Sequence, residues 1–257
     1  MIFKNYKKPK TIEEAYELLL KEPNNLIIGG GAWLKLLPTK IESIIDISLI
    51  GLDEIAVSND SIEIGSNATL RAIETSNIIK DNGCKILSDA IHQIMGMNIR
   101  NIATIGGSVM GKYSFSDILT PLLVLDTKLV FYKKGEISLQ DFLNIKKFPK
   151  DILLKIKIKK DKETGYFKSV KKTALDFPVL NLAITKGETL KIAVGSRPGQ
   201  AVRAYEAEKL VEIPAIAKVV LEEISLSSNN RASKEYREEL LSVYIKRGLM
   251  EVLKNEG

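Results

Sequence analysis

Apolar and polar positions near the start of the chain follow the periods of short helices and strands. A capping-box pattern followed by apolar residues at helical spacing predicts a helix over 11–22. Apolar runs of strand length predict buried strands at 26–28 and 44–47, with a helix pattern across 33–37 between them. Residues 1–50 are therefore predicted to form a small α/β unit with a glycine turn between a strand and a helix.

The middle of the chain continues with elements of similar length. Strict alternation of apolar and polar residues predicts a hairpin over 53–66. The remaining patterns predict helices over 67–75, 86–95 and 119–125 and strands over 129–132 and 152–158. These elements complete a second unit at about 51–160.

The pattern changes after a charged stretch at 160–162. Strands are predicted over 164–172, 178–185 and 190–194. Helices are predicted over 202–211, 214–223 and 233–254. Strands followed by helices indicate an α+β arrangement. We therefore expect one domain at 1–160, with subdomains of about 1–50 and 51–160, and a second domain at 161–257.

Length and composition fit a globular protein with a sizeable core. The chain has 257 residues, of which 45% are hydrophobic. It contains no run of about 18 apolar residues, which a membrane-spanning helix needs, and no secretory signal pattern near Met1. We therefore expect a cytoplasmic protein without a membrane span.

Cysteine and histidine usage restricts the chemistry of this chain. Cys84 is the only cysteine and His92 the only histidine. A zinc site with four such ligands, or an iron–sulfur cluster held by this chain alone, is excluded. A catalytic triad would depend on His92, which lies in a helix pattern without a nucleophile motif. Both residues are interpreted as structural, and the sequence predicts neither a metal site nor a catalytic residue.

The net charge of +6 raises the question of nucleic-acid binding. The lysines are spread along the chain, and Lys155, Lys157 and Lys159 alternate with apolar residues as on a strand with one solvated face. We predict no nucleic-acid binding. A basic surface is also consistent with docking to an acidic partner subunit.

Two glycine-rich turns are the most informative feature of the chain. The first covers 29–31, between a predicted strand and a predicted helix, and the second lies within 104–108. Glycine lets the backbone approach a phosphate closely, and we expect both turns to leave N–H groups free to bind it. The first turn has neither P-loop nor Rossmann spacing. From the residues alone, it is explained equally by a phosphate site and by a tight turn.

Two further polar residues are candidates for ligand contacts. Asp117 lies nine residues after Ser108, where its carboxylate could accept hydrogen bonds from ribose hydroxyls or cap the helix over 119–125. Lys168 lies on a predicted strand and, taken alone, has the features of a solvent-facing lysine.

Five motifs, in order over nearly the whole chain, resemble the FAD-binding medium subunits of molybdenum hydroxylases, the family of xanthine dehydrogenase and carbon monoxide dehydrogenase flavoproteins. The first family motif, A-G-G-T-D-L, corresponds to Gly29 to Leu34. The second, R-N-x-A-T-I-G-G-N, corresponds to Arg100 to Ser108, and the S-D pair that follows it corresponds to Ser116-Asp117. The third pattern, Y-x-K-x-x-x-R-x-x-x-D-F, corresponds to Tyr166, Lys168, Lys172, Asp176 and Phe177. The fourth, R-A-x-x-A-E, corresponds to Arg203, Ala204, Ala207 and Glu208. The fifth, R-A-S-x-E-Y-R, corresponds to Arg231 to Arg237. Each motif alone is weak, whereas five in register are specific.

The resemblance implies an α+β fold in which a two-subdomain, PCMH-type FAD-binding domain precedes a CO dehydrogenase flavoprotein-like C-terminal domain. The first loop would bind the FAD pyrophosphate through N–H groups, Leu153 would pack on the flavin, and Lys168 would lie near its polar edge. The residues implied to contact FAD are Ile28, Gly29, Gly30, Gly31, Ala32, Trp33, Leu34, Thr104, Gly107, Ser108, Asp117, Leu153 and Lys168.

The implied function is electron transfer within a multi-subunit enzyme, closest to bacterial xanthine dehydrogenases that oxidise purines. A molybdopterin-binding large subunit would act on the substrate. A [2Fe–2S] small subunit would pass electrons to FAD on this chain, and NAD or another acceptor would receive them. The single cysteine, Cys84, argues against the branch of the family that carries an additional iron–sulfur insertion.

Four departures from the family pattern leave alternatives open. Ala32 replaces a threonine, Trp33 an acid, Ser108 an asparagine and Lys172 an arginine. Trp33 is explained equally by stacking on flavin or adenine and by filling core space. These departures motivate an alternative function, an assembly subunit that has lost FAD. A stand-alone flavin oxidoreductase related to vanillyl-alcohol oxidase is disfavoured because the chain offers no substrate domain, and His92 lies away from the glycine turns.

Overall fold

The computed structural model describes residues 2–34, 40–161 and 164–254. The first unit consists of strand β1 (Ile2–Lys7), helix α1 (Ile12–Lys21), strand β2 (Leu26–Ile28) and strand β3 (Lys40–Asp46). These strands pair in parallel in the order β1-β3-β2. Residues 35–37 of the helix predicted over 33–37 lie outside the described ranges.

Thr11 is the N-cap of α1, as predicted, but the Glu14 carboxylate accepts the N–H of Lys10 and not that of Thr11, so the capping box is only partly formed. The Thr11 hydroxyl accepts a hydrogen bond from the Glu14 N–H at 3.3 Å, and the Glu14 carboxylate accepts one from the Lys10 N–H at 3.0 Å. Ala15 and Leu19 on the inner face of α1 are buried. The cap therefore sets where the helix begins, and the apolar face sets how it packs on the sheet.

Strand β1 has no counterpart in the sequence prediction. Its Phe3 and Tyr6 side chains are 42% and 55% exposed, and the strand pairs with β3 at the edge of the sheet. An edge strand with exposed side chains does not need the regular apolar alternation that identifies a half-buried strand.

A second sheet forms the larger unit. Within the described ranges its strands are β4 (Ile55–Val57), β5 (Ser61–Gly65), β6 (Lys128–Phe131), β7 (Gly135–Ser138) and β8 (Leu153–Lys159). They pair antiparallel in the order β4-β5-β8-β6-β7. The predicted hairpin over 53–66 is therefore confirmed as β4 and β5.

Short helices surround the main hydrophobic core between the second sheet and the C-terminal region. They are α2 (Leu70–Thr75), α3 (Asn77–Asp81), α4 (Lys85–His92), α5 (Met97–Ile102), α6 (Ile105–Met110), α7 (Leu119–Val124) and α8 (Leu139–Asn144). The core includes Ile64, Leu87, Ile105, Leu122 and Ile156, each at most 1% exposed. Cys84 is buried in this core, as predicted.

The C-terminal region contains a third sheet covered by two helices. Its elements are β9 (Thr164–Val170), β10 (Leu180–Lys186), β11 (Leu190–Gly195), β12 (Val202–Arg203), α9 (Ile213–Glu223) and α10 (Lys234–Lys254). The strands pair antiparallel in the order β12-β11-β10-β9. Neither α10 nor another helix in the described ranges has the length and hydropathy required to cross a membrane.

The helix predicted over 202–211 is wrong. Arg203 pairs with Ala193 as part of β12, and Ala207–Lys209 form a single 3₁₀ turn. The Arg203 guanidinium donates to the Glu208 carboxylate at 2.6 Å, and Glu208 also accepts the Ile192 N–H at 2.8 Å. Sheet pairing and this buried ion pair therefore override the local helix pattern.

Candidate functional site

An elongated groove separates the first sheet from the helices of the larger unit. Its wide part has a volume of about 540 Å³, and the adjoining part has about 360 Å³. Gly29, Thr104 and Gly107 line both parts, so the two glycine turns face each other across the groove. Pockets of roughly 300–1,000 Å³ are typical of organic ligands and cofactors.

The first glycine turn offers backbone donors to this groove. Within the described ranges, neither backbone nor side-chain acceptors take the N–H groups of residues 29–33. Gly31 has φ of 68°, a left-handed conformation that favours glycine. A Cβ on Gly30 would lie 1.2 Å from the Ile102 carbonyl oxygen, so the first turn touches the backbone just before the second glycine turn. Consecutive free N–H groups of this kind suit an anion such as phosphate.

The second glycine turn uses its N–H groups within the protein, contrary to the sequence prediction. Thr104 is the N-cap of α6 and accepts the Gly107 N–H at 3.2 Å on its hydroxyl. The Gly106 N–H donates to the Ser66 carbonyl at 2.8 Å. The Ser108 hydroxyl donates to the Thr104 carbonyl at 2.9 Å. This turn therefore shapes one wall of the groove, whereas the first turn supplies the free donors.

Three polar side chains that sequence reasoning missed also line the wide part. Asn25 Oδ1, Ser66 Oγ and Asn67 Oδ1 are buried without a hydrogen-bond partner among the described residues. Native structures contain few such atoms, and a bound ligand is one way to satisfy them. Position gave a signal: Ser66 and Asn67 follow strand β5 directly, where polar residues often face a ligand.

Aromatic side chains close a third and much smaller part of the groove, here called the narrow end. Trp33, Tyr113, Phe115 and Phe177 form one cluster, with ring centroids 5.4 Å apart for Trp33 and Phe177 and 4.2 Å apart for Phe115 and Phe177. The cavity that they line has only about 40 Å³. Trp33 is therefore half-buried in this cluster and faces the groove as well.

Asp117 lies behind the aromatic cluster in a buried network. Its carboxylate is 3.0 Å from Lys171 Nζ and accepts a hydrogen bond from Asn181 Nδ2 at 2.8 Å. Burial raises the pKa of Asp117, and the adjacent Lys171 charge opposes that increase. Asp117 does not cap α7, because the Ser116 hydroxyl accepts the Ile118 and Leu119 N–H groups instead. The helix-cap alternative is therefore wrong, and the role in binding ribose stays a prediction.

Leu153 and Lys168, which were both implied to contact the flavin, lie in different surroundings. Leu153 lines the wide part of the groove. Lys168 lies on the face of β9 that packs against α10, with Nζ 5.3 Å from the Tyr244 ring centroid. Lys171 carries the cation that lines the narrow end. Lys168 lines none of the three parts of the groove, and its contact with the flavin stays a prediction.

The arginine of the second motif is held by a carboxylate. Arg100 is buried and donates from Nε to Glu74 at 2.9 Å and from Nη1 to the Ile94 and Met95 carbonyls at 2.8 and 3.0 Å. Ile94 and Met95 line the narrow end, and Met95 has φ of 40°. Glu74 thus orients Arg100, and Arg100 in turn holds the backbone of Ile94 and Met95 at the narrow end.

We expect a loss of stability in acid that depends on Glu74. Burial raises its pKa, but hydrogen bonds from His92, Arg71 and Arg100 outweigh burial and lower the pKa from 4.5 to about 2. The stabilisation is therefore complete above about pH 5 and is lost as the pH falls towards 2. Allowing for the exposure of Arg71 and His92, the loss is about 2 kcal/mol.

Urea unfolding between pH 7 and pH 3 tests this expectation. Glu74→Gln should flatten the acid dependence, whereas Glu63→Gln, which removes the surface pair with Lys155, serves as the matched control and should retain it. An unchanged pH profile in Glu74→Gln would contradict the assignment.

Lys150 joins the two walls of the groove. Its Nζ donates to the Leu19 and Glu22 carbonyls at 2.8 and 2.6 Å, at the C-terminal end of α1. Burial lowers the pKa of Lys150, and the Glu22 charge opposes the change. A cation is favoured at this end of a helix. Because Lys150 precedes β8 while α1 belongs to the first unit, the contact limits how far the groove can open.

Lys150→Met is expected to lower the free energy of unfolding by about 1–3 kcal/mol, because the Leu19 and Glu22 carbonyls, the first of them partly buried, lose a charged donor. Lys146→Met is the control, since Lys146 lines the same part of the groove but is exposed. Thermal unfolding of both variants measures the effect. A loss of stability in Lys150→Met alone indicates a contact between the walls, whereas equal losses in both variants would show a general effect of removing positive charge from the groove.

The comparisons with known proteins agree with this geometry. Residues 2–159 match the family model described as the FAD binding domain in molybdopterin dehydrogenase, and residues 165–252 match the CO dehydrogenase flavoprotein C-terminal domain. The chain belongs to this FAD-binding family. The predicted resemblance, the α+β fold and FAD as the cofactor are thereby confirmed.

Relatives of this FAD-binding chain match it along nearly all of its length. It is 25% identical to the xanthine dehydrogenase FAD-binding subunit of Escherichia coli O157:H7, with 99% of this chain and 98% of the relative covered. It is 27% identical to the uncharacterized protein YgfM of Escherichia coli K12, with 93% and 92% covered.

A solved structure shows the same fold. A chain of the carbon monoxide dehydrogenase from Hydrogenophaga pseudoflava, a form that lacks the Mo-pyranopterin moiety of the molybdenum cofactor, matches with a TM-score of 0.89 and 20% identity. The match covers 99% of each chain.

Proposed function

We propose that this chain holds FAD in the groove and transfers electrons as the medium subunit of a multi-subunit molybdenum hydroxylase. The observation that carries the proposal is the row of N–H groups at residues 29–33, which have no acceptor among the described residues and lie opposite the wall formed by Thr104 and Gly107. Family membership supports FAD, and the groove supplies a place of suitable size and polarity.

The residues of the groove fit an extended dinucleotide. The first turn would hold the pyrophosphate, since its N–H groups meet no acceptor in the part of the chain that the structure describes and its glycines permit close approach. Asn67 and Leu153 at the wide part offer a polar and an apolar contact for the adenosine half, so in this arrangement Leu153 would contact adenosine and not the flavin. The flat isoalloxazine ring would stack on the aromatic cluster near Lys171 at the narrow end, after one of these side chains moves aside.

FAD would supply the redox chemistry, and the protein would position it and set its electrostatic environment. We therefore assign to Lys171 the cationic role first given to Lys168, because a positive charge near the ring favours the reduced, anionic form. The carboxylate of Asp117 partly neutralises that charge at 3.0 Å, so the two residues would set the flavin potential together.

The complex and its partners belong to the same proposal. A molybdopterin subunit would oxidise the substrate, and a [2Fe–2S] subunit would deliver electrons to FAD for transfer to NAD or another acceptor. Relatives named as a xanthine dehydrogenase FAD-binding subunit and as a glyceraldehyde dehydrogenase medium chain, the latter from Sulfolobus acidocaldarius, support a subunit role. Residues 1–160 and 161–257 would be the two domains of this subunit.

A second candidate function is that of an assembly subunit without FAD. The narrow end favours it, because the side chains of Trp33, Phe115 and Phe177 leave only about 40 Å³ there. An isoalloxazine ring would have to displace at least one of them. Ala32, at the position of the family threonine, also removes one phosphate-binding hydroxyl.

The absorption spectrum of the purified chain decides between the two functions. A bound-flavin spectrum, with FAD identified by chromatography after denaturation, is expected under the proposal. Titration with FAD follows if the chain is purified colourless. A chain that neither carries nor takes up FAD, yet assembles with its partner subunits, would replace the proposal with the assembly function.

A further inference from the structure

The terminal R-A-S-x-E-Y-R motif contains a buried arginine whose partners are mainly backbone. Arg237 is 0% exposed. It donates to the carbonyl groups of Val179, Ser227 and Ala232 at 2.9, 2.7 and 2.7 Å, and to Asn229 Oδ1 at 2.8 Å. Burial lowers the pKa of Arg237. The segment 225–233, here called the strap, is thereby fixed against the start of β10.

The strap has further anchors that set its path. Asn229 Oδ1 also accepts the Arg231 N–H at 2.9 Å, and the Lys234 N–H donates to Ser228 Oγ at 2.9 Å. Arg197 donates from Nη1 to the Ser225 carbonyl at 2.8 Å. The backbone of Arg231 is therefore held from both sides.

The side chain of Arg231 points from the strap to the aromatic cluster. Its guanidinium carbon lies 4.9 Å from the Phe177 ring centroid, and Nη1 donates to Asp176 Oδ1 at 3.2 Å. Asp176 Oδ1 also accepts the Phe177 N–H at 2.7 Å. Arg231 thus contacts both the ring and the carboxylate that orients the backbone of that ring.

We propose that Arg231 is a positioning residue for the cofactor groove: it holds Phe177 against Trp33 and Phe115, and Arg237 fixes the strap that carries it. The terminal motif, which does not itself line the groove, would then set the position of an aromatic side chain at the narrow end. The inference rests on the proposed function in taking this end as the place of the isoalloxazine ring.

Trp33 gives a readout that does not depend on FAD. It is the only tryptophan of the chain, and its ring centroid lies 5.4 Å from that of Phe177. In Arg231→Gln, Phe177 loses its cationic contact, and we expect acrylamide to quench Trp33 fluorescence about two-fold more efficiently in the flavin-free chain. Arg231→Lys should lie between the two, since it keeps the charge but not the planar contact.

Arg247→Gln is the matched control. The Arg247 guanidinium carbon also lies over an aromatic ring, at 5.4 Å from the Tyr244 centroid, but on α10 and away from the groove. This variant should quench like the wild type. In titrations with FAD, Arg231→Gln should raise Kd about five-fold and Arg247→Gln should leave it unchanged.

Two readouts separate the inference from the proposed function. Altered Trp33 quenching in Arg231→Gln, with the same far-UV circular dichroism as the wild type, supports the positioning role even if the wild type takes up no FAD. Failure of wild-type FAD binding refutes the proposed function alone. Unchanged Trp33 quenching in Arg231→Gln overturns the positioning role, whatever the flavin content.

Discussion

Gly30→Ala is expected to yield a chain that retains no flavin and is destabilised by about 3 kcal/mol or more. The added Cβ would lie 1.2 Å from the Ile102 carbonyl oxygen and 2.4 Å from its carbon. Both are backbone atoms next to the second glycine motif, so a side-chain rotation cannot relieve the overlap. The two turns would have to separate, and the free N–H groups of the first turn would lose their position.

Gly96→Ala provides the control for Gly30→Ala. Gly96 has φ of −91°, and a Cβ there would meet no heavy atom within 4 Å. It should keep wild-type flavin content and unfolding temperature. Retention of FAD by Gly30→Ala, measured as the ratio of flavin to protein absorbance, would contradict the close contact between the turns.

Lys171→Met is expected to reduce the free energy of unfolding by about 3–5 kcal/mol, the range typical of an unpaired buried charge. Asp117 is 5% exposed, and Lys171 Nζ is its cationic partner at 3.0 Å. Lys171 lies on the segment after β9, whereas Asp117 precedes α7, so the pair joins the C-terminal region to the FAD-binding region. Chemical unfolding at pH 7 measures the loss.

Two further variants make this second expectation specific. Lys172→Met changes the exposed neighbouring lysine and should have little effect. Asp117→Asn combined with Lys171→Met removes both charges and should recover most of the lost stability, because no buried charge is left unpaired. Equal losses in the single and double variants would show that the pair contributes little.

The sequence predicted the elements whose signal is local. The capping box at Thr11 identified the start of α1, and strict alternation identified the β4–β5 hairpin. The glycine clusters identified the two walls of the groove, because close backbone approach is a property of glycine itself. These features depend on a few adjacent residues, so the sequence alone carried them.

Features that depend on distant contacts could not be predicted from the residues. The 202–211 segment has a helix pattern, but Arg203 pairs with β11 and with Glu208. The cation at the narrow end is Lys171 because the alternation of β9 turns Lys168 towards α10. The conformation of 202–211 and the direction of the Lys168 side chain are determined by tertiary packing, which local sequence patterns do not reveal.

In each of the first two sheets, the last strand in the chain is the central one: β3 lies between β1 and β2, and β8 lies between β5 and β6. On the ribosome, the β4–β5 and β6–β7 hairpins would therefore be complete but separate until Leu153–Lys159 emerge. Because Leu153 lines the groove, the wide part of the groove is also absent until then. If FAD binds in this groove as proposed, we therefore expect it to load only after this one strand has been inserted.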